Sequence, residues 1–185
     1  MTSAPLSPSA SVYAPNTKDE SDEERTLAAI VDNEPGVLGR VVGLFSARGY
    51  NIESLTVAET DGKKHTSRIT IVTRGTPSTL EQIKAQLNRL LPVRTVSDVT
   101  LEKDGIEREL ALVKVSGAGE KRVEALRMAD VFRARVIDTG ASSFIFEVTG
   151  GRGKVNAFIE LMEPLGLVEV SRTGVLSIKR GAEAM

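Results

Sequence analysis

A polar turn at residues 32–36, Asp-Asn-Glu-Pro-Gly, has the residue types of a small ligand-binding site. It follows a short apolar run and precedes a helical pattern, so the backbone N–H groups around Gly36 lie at a predicted helix N-terminus. Unpaired donors and the positive end of the helix dipole can hold an anion there, and a ligand carboxylate is one candidate. The structural alternative is that Asn33 or Asp32 caps the helix and Gly36 relieves a tight turn. The turn alone favours this structural alternative.

Few residues elsewhere in the chain have the types and spacing of a catalytic site. The single histidine, His65, stands beside a predicted hairpin turn, and we interpret it as an exposed loop residue without a catalytic partner. The absence of cysteine excludes thiolate zinc sites and cysteine nucleophiles, and one histidine with scattered carboxylates gives no metal-ligand spacing. The glycine-rich turn at residues 150–154, GGRGK, could cradle a phosphate. It fits neither nucleotide-binding loop pattern, so we favour a connecting turn with a solvated basic rim.

Hydrophobic periodicity places the polar turn within a unit of six elements. The pattern predicts strands at residues 27–31, 52–58, 67–73 and 93–101, and helices at residues 37–47 and after Pro77. Asp61-Gly62 is a hairpin turn signal between the second and third strands, and Ser78 with Glu81 matches a capping box for the second helix. The order βαββαβ is that of the ferredoxin-like fold, an antiparallel sheet with both helices on one face.

The same order recurs after a polar break at residues 102–105. The predicted strands are residues 109–115, 135–138, 143–149 and 167–178, the last bent at Gly174, with helices between. The predicted fold class is therefore α+β, with two tandem ferredoxin-like βαββαβ domains. The expected divisions are a disordered tail at 1–24, domains at 25–102 and 107–180, a linker at 103–106 and a tail at 181–185. Each sheet is expected to expose the face opposite its helices, which favours oligomerisation.

Composition limits the classes of partner. The 24 basic and 25 acidic residues nearly cancel, which argues against nucleic acid and anionic membranes as partners. RNA-recognition domains share the predicted topology but place aromatic residues on the two central strands, and residues 27–31 and 67–73 contain none. We expect no secretory signal and no membrane span, because the first residues lack a signal pattern and no 18 apolar residues run together. A cytoplasmic location is consistent with the absence of cysteine.

Two stretches carry a family resemblance. Residues 32–40, DNEPGVLGR, and residues 43–55, GLFSARGYNIESL, resemble the ACT domain, a small amino-acid-sensing module. The longer run from Asn33 to Val57 is similar to the small, or regulatory, subunit of acetolactate synthase, also called acetohydroxyacid synthase. Later stretches extend the resemblance over about residues 26–180, namely EREL at 107–110, LVKV at 112–115, FR at 132–133, ID at 137–138 and RTG at 172–174.

The resemblance implies a regulatory role without an active site in this chain. The family's small subunit binds a catalytic subunit that uses thiamine diphosphate, magnesium and FAD to make acetolactate or acetohydroxybutyrate from pyruvate. It raises the activity of that partner and confers feedback inhibition by valine, sometimes by leucine or isoleucine. No cofactor is expected in this chain. The resemblance favours the N-terminal domain as the part that contacts the catalytic subunit.

The resemblance also implies an effector site between two ACT domains of a homodimer or higher oligomer. The positions it assigns are Asn33, Gly36, Val37 and Leu38 from the turn and Asn51 and Ile52 from the other protomer. Backbone donors suit a carboxylate, amide groups of asparagine suit an ammonium group, and the apolar side chains suit a branched aliphatic group. Gly39 departs from the family, in which many members have a small polar residue there, and this leaves the effector preference open.

Two other classes of function compete with this interpretation. The first is a free-standing ACT-domain sensor that regulates another enzyme or transcription. It would bind no large thiamine-dependent subunit, so co-purification separates the two. The second is a small enzyme acting alone, which the missing nucleophile, base and metal ligands disfavour.

Overall fold

A computed structural model describes residues 21–61, 65–101 and 105–182. The first domain contains, in chain order, β1 (Glu23–Asp32), α1 (Val37–Ala47), β2 (Ser54–Asp61), β3 (Thr66–Gly75), α2 (Pro77–Leu87) and β4 (Val93–Asp98). Its four strands form an antiparallel sheet in the order β2-β3-β1-β4. This is the predicted βαββαβ arrangement, and the bounds of α1 agree with the prediction.

The second domain repeats the arrangement and adds a strand. It contains β5 (Gly105–Ser116), α3 (Glu120–Val131), β6 (Arg135–Thr139), β7 (Ser143–Gly150), α4 (Arg152–Gly166), β8 (Leu167–Arg172) and β9 (Leu176–Lys179). Its sheet has the order β6-β7-β5-β8, while β9 pairs with the first four residues of β5. The fold class of two tandem ferredoxin-like domains is confirmed, but the last predicted strand, 167–178, is two strands.

Each domain has its own core, which is mainly aliphatic in the first and richer in phenylalanine in the second. In the first, alternate residues of β1 and β3 face α1 and α2, so that Leu27, Ile69 and Ile71 are at most 1% exposed. In the second, Phe146 and Phe158 are fully buried with ring centroids 6.0 Å apart in an edge-on arrangement. Burial of each such side chain stabilises a domain by about 1.5–3 kcal/mol. No helix in the described part of the chain is long and apolar enough to span a bilayer.

The start of α2 differs from the predicted capping box. The helix begins at Pro77, and its N-cap is Thr76, whose Oγ1 accepts a hydrogen bond from the backbone N–H of Thr79 at 3.3 Å. Ser78 is therefore the second residue of the helix rather than its cap. Proline favours the first helical position, and this moves the cap to the residue before it.

Strands also extend beyond their apolar segments. β1 begins at Glu23, four residues before the predicted start, and its Arg25 is buried beside the carboxylates of Asp98 at 3.2 Å and Glu81 at 3.0 Å. Ion pairing allows a charged residue to continue the strand where an apolar pattern stops. β5 likewise includes Gly105 and Ile106, which the predicted linker contained. Gly62 of the predicted hairpin turn lies outside the described residues.

The face of the first sheet opposite its helices is covered by the C-terminal part of the chain. Thr26, Thr70 and Val72 point to this face and are at most 4% exposed. Thr56 shares the face through its register with Thr70, and its Oγ1 donates to the carbonyl oxygen of Val175 at 3.1 Å. The expectation that this face is open is therefore wrong at this end, whereas at the other end Ile30 and Arg68 are half-buried and Ala58 is exposed. On the second sheet, the corresponding face leaves Glu169 and Ser171 exposed, as expected.

Candidate functional site

The start of α1 presents backbone N–H groups that no side chain caps. Its N-cap is Gly36, with a φ of +83°, a left-handed conformation that favours glycine. Asp32 instead accepts a hydrogen bond from Nε of Arg94 at 2.6 Å, and the N–H of Asn33 donates to the carbonyl of His65 at 2.7 Å. The structural alternative, in which Asp32 or Asn33 caps the helix, is therefore wrong. The N–H of Val37 donates to the carbonyl of Glu34 at 3.3 Å, whereas those of Leu38 and Gly39 have no carbonyl four residues back within the helix, which suits them to an anion.

Space is available above this helix start. A Cβ atom built on Gly36 or Gly39 would meet no atom within 4 Å. Asn33 and Gly36 are exposed, and the side chain of Leu38 is 39% exposed. Val37, by contrast, is 7% exposed and belongs to the core, so its side chain has little surface to offer a ligand.

Asn51 and Ile52 lie at the other end of the domain. The backbone carbonyl of Asn51 accepts a hydrogen bond from Oγ1 of Thr73 at 2.6 Å, while Asn33 is held next to Thr66, where β3 begins. Thr73 is seven positions after Thr66 along the extended strand, which corresponds to about 23 Å. The two groups of predicted site residues are therefore not brought together within one chain.

The segment after Ile52 contacts the second domain through an ion-pair cluster. Nη2 of Arg152, the first residue of α4, donates to Oε2 of Glu53 at 2.9 Å, and its Nη1 lies 2.6 Å from a carboxylate oxygen of Glu24. Arg74 lies 3.4 Å from each of these two glutamates. The hydrogen bond from Arg152, opposed by partial burial, holds the pKa of Glu53 below its ordinary value.

Hydrogen bonds continue this contact along β2. Oγ of Ser54 accepts from the N–H of Val175 at 3.2 Å, beside the bond from Thr56 to the same residue's carbonyl. Gly174, with a φ of +80°, sits close against both hydroxyl groups. We call the contacts of residues 53–56 with residues 152 and 173–175 the interdomain seam. It begins one residue after Ile52, so one of the predicted site segments is joined directly to the second domain.

The glycine-rich turn at residues 150–154 belongs to this seam rather than to a phosphate site. Arg152 is engaged by Glu53 and Glu24, and Nζ of Lys154 donates to the carbonyl of Thr149 at 2.9 Å. The expectation of a solvated basic rim is therefore wrong for Arg152. Its partner Glu53 is 99 residues away in the chain, and no local pattern indicates the pairing. His65 is exposed, as expected.

Comparisons with known proteins bear on both domains. A family model for the AHAS small subunit-like ACT domain matches residues 27–95, and a model for the small subunit of acetolactate synthase matches residues 108–181. A probable acetolactate synthase small subunit from Archaeoglobus fulgidus is 47% identical over 158 residues, which are 85% of this chain and 98% of the relative. The chain belongs to the acetolactate synthase small-subunit family.

Other small subunits of acetolactate synthase are similar to this chain over most of its length. The acetolactate synthase isozyme 3 small subunit of Escherichia coli is 43% identical over 87% of this chain and 98% of its own length. The crystal structure of an acetolactate synthase small subunit from Thermotoga maritima is similar with a TM-score of 0.77 and 36% identity, covering 87% of this chain and 99% of that one. The resemblance and the tandem ACT-type fold are thereby confirmed.

Proposed function

We propose that this chain is the regulatory subunit of acetolactate synthase in the biosynthesis of valine, leucine and isoleucine. In this role it binds the thiamine-diphosphate-dependent catalytic subunit in the cytoplasm, raises its activity and confers feedback inhibition by valine. The similarity to acetolactate synthase small subunits over 85% of the chain is the observation that carries the proposal. The chain itself performs no chemical step.

The proposed effector site uses the open start of α1. The valine carboxylate binds the N–H groups of the first turn, around Leu38 and Gly39, where the helix dipole favours negative charge. The amide oxygens of Asn33 and of the partner protomer's Asn51 accept from the ammonium group. Leu38 and Ile52 contact the isopropyl group. The uncapped helix start and the space above Gly36 and Gly39 support this arrangement.

A site shared between two protomers explains how valine changes activity. Asn33 and Asn51 are held at opposite ends of β3. Each end of one chain therefore supplies only half of a pocket. Closing the pocket then fixes the relative position of two protomers. Valine shifts the equilibrium between arrangements of the complex, and the size of the shift is set by how much more tightly valine binds the closed arrangement than the others.

Replacing Gly39 by aspartate tests the carboxylate position. Gly39→Asp places a carboxylate in the first turn of α1 without a steric contact, and the helix dipole favours an acid there, so folding is preserved. In a complex with the catalytic subunit, we expect normal activation and at least a tenfold rise in the valine concentration that gives half-inhibition. Gly153→Asp, the same change in the first turn of α4 where a Cβ is also free of contacts, is the matched control.

Mixing two variants tests the shared pocket. Asn33→Ala and Asn51→Ala are each expected to abolish valine binding, because each removes one half of every site. A mixed dimer of the two variants has one site with both substitutions and one intact site, so calorimetry should recover up to half a site per dimer on statistical mixing.

These experiments separate the possible failures. Unchanged inhibition of Gly39→Asp would contradict the effector site, and no recovery on mixing would contradict its sharing. A wild-type chain that binds no catalytic subunit would contradict the proposed function and support a free-standing sensor.

A further inference from the structure

An open groove of about 500 Å³ runs between α1 and α2 on the outer surface of the first domain. Its floor is formed by Gly43, Leu44 and Ala47 of α1 together with Leu90, which follows α2. Leu44 is 8% exposed and belongs to the core, so the floor is firmly supported. A Cβ atom on Gly43 would meet nothing within 4 Å, which leaves room for a small side chain from outside.

The rim of this α1–α2 groove is exclusively basic. Arg40, Arg48 and Arg89 line it, and among the residues that the structure describes no acidic one does. All three are exposed, and within the described part of the chain no carboxylate lies within ion-pairing distance of their guanidinium groups. Arg94, in contrast, is paired with Asp32. The whole chain has a formal charge of −1, so the groove is a local concentration of positive charge rather than part of a general excess.

The groove also contains an unsatisfied polar atom. Oε1 of Gln86, in the last turn of α2, is buried and accepts no hydrogen bond from any residue that the structure describes. A buried acceptor without a donor costs about as much as a lost hydrogen bond, which favours any rearrangement of this side chain that brings Oε1 to a donor when the groove is occupied.

We propose that the α1–α2 groove binds an acidic segment of the catalytic subunit. A small apolar side chain of that segment sits above Gly43, and its carboxylates face Arg40, Arg48 and Arg89, since guanidinium groups bind carboxylates with paired hydrogen bonds. A second copy of this chain is a poorer occupant, because a twofold contact of the groove with itself would set arginines against arginines. The identity of the partner rests on the proposed function, whereas its acidic chemistry rests on the groove.

The location of the groove links docking to the effector site. Arg40 lies on the same helix as the uncapped N–H groups and one turn from Gly36. A rotation of α1 on effector binding would therefore change the spacing of the arginines across the groove.

Charge reversal in the full chain tests this proposal. We expect Arg40→Glu, Arg48→Glu and Arg89→Glu each to raise the Kd for the catalytic subunit by at least tenfold at low salt without valine. The increase should shrink at 0.5 M NaCl because salt screens exposed charges. Arg127→Glu on α3, an exposed arginine outside the groove, is the control and should change the Kd less than twofold.

Filling the groove provides a test that misfolding cannot imitate. Gly43→Gln replaces a glycine inside α1 with a better helix former, so the urea midpoint should rise while affinity for the catalytic subunit falls at least tenfold. Gly153→Gln, at the other helical glycine used above as a control, should leave the affinity unchanged.

The outcomes are distinguishable. Wild-type affinity in all four groove variants would overturn the groove as the docking site while leaving the proposed function intact. Self-association that the arginine variants abolish, with binding to the catalytic subunit unchanged, would overturn it in favour of a second copy. A wild-type chain that binds no catalytic subunit would overturn the proposed function and the identity of this partner together.

Discussion

Alanine at Gly174 should destabilise the interdomain seam beyond the cost of backbone strain. With a φ of +80°, alanine there costs about 1–2 kcal/mol from its left-handed conformation alone. Its Cβ would also lie 2.7 Å from Oγ of Ser54 and 2.9 Å from Oγ1 of Thr56. Rotating these hydroxyls away breaks their two hydrogen bonds to Val175, at about 0.5–1.5 kcal/mol each. The expected total is about 2–5 kcal/mol.

Urea unfolding followed by far-ultraviolet circular dichroism measures this cost. All variants must be compared at one protein concentration, because association contributes to apparent stability. Gly49→Ala is the matched control, since its φ is +69° and its Cβ would meet nothing within 4 Å. It should cost only the strain of about 1–2 kcal/mol. In a Ser54→Ala/Thr56→Ala background, the cost of Gly174→Ala should fall to the same value.

Two results would refute this reasoning. Equal costs for Gly174→Ala and Gly49→Ala would show that the hydroxyl groups do not pack against residue 174. An undiminished cost in the Ser54→Ala/Thr56→Ala background would show that the excess arises elsewhere, because coupling between contacting residues must appear as non-additivity.

Two further predictions concern pH and helix capping. Because the pKa of Glu53 is lowered in the folded chain, its contribution to stability is present above its unfolded pKa and is lost as pH falls through the folded value. Glu53→Gln should reduce the loss of unfolding free energy at low pH, measured by urea titrations at several pH values. An unchanged dependence of stability on pH would contradict the pairing with Arg152. Thr76→Ala should cost about 1 kcal/mol through loss of the N-cap, whereas Ser78→Ala should cost clearly less. The same urea assay checks this pair, and the reverse order would restore the capping box predicted from the sequence.

Short-range patterns predicted most of the fold. The spacing of Val37, Val41 and Leu44 placed α1 at its observed bounds, and two rounds of the same order predicted both domains. The separation of β8 from β9 was not predictable, because β9 exists through pairing with Gly105–Arg108, about 70 residues earlier in the chain. The start of β1 was not predicted because it contains charged residues such as Arg25, and ion pairing rather than an apolar pattern stabilises the strand there.

The candidate site was predictable in position but not in detail. The turn before α1 indicated an anion site, while the choice between a capped and an open helix depended on Arg94 binding Asp32 across 62 residues of sequence. The interdomain seam was not predictable for the same reason: the sequence around Arg152 and the sequence around Glu53 contain no pattern that indicates their pairing. The arrangement of six site residues between protomers remains a prediction that the mixing experiment tests.

The cover over the first sheet has a consequence for how the protein is made. Thr26, Ala28 and Val72 are buried on the face that Val175 contacts through Ser54 and Thr56, yet Val175 leaves the ribosome about 100–150 residues later. Since domains fold in order of synthesis, the first domain must pass through a period with this face bare. A fragment ending before residue 174 is permanently held in that state and should self-associate or bind chaperones. Properties measured on such a fragment therefore describe an incompletely assembled domain.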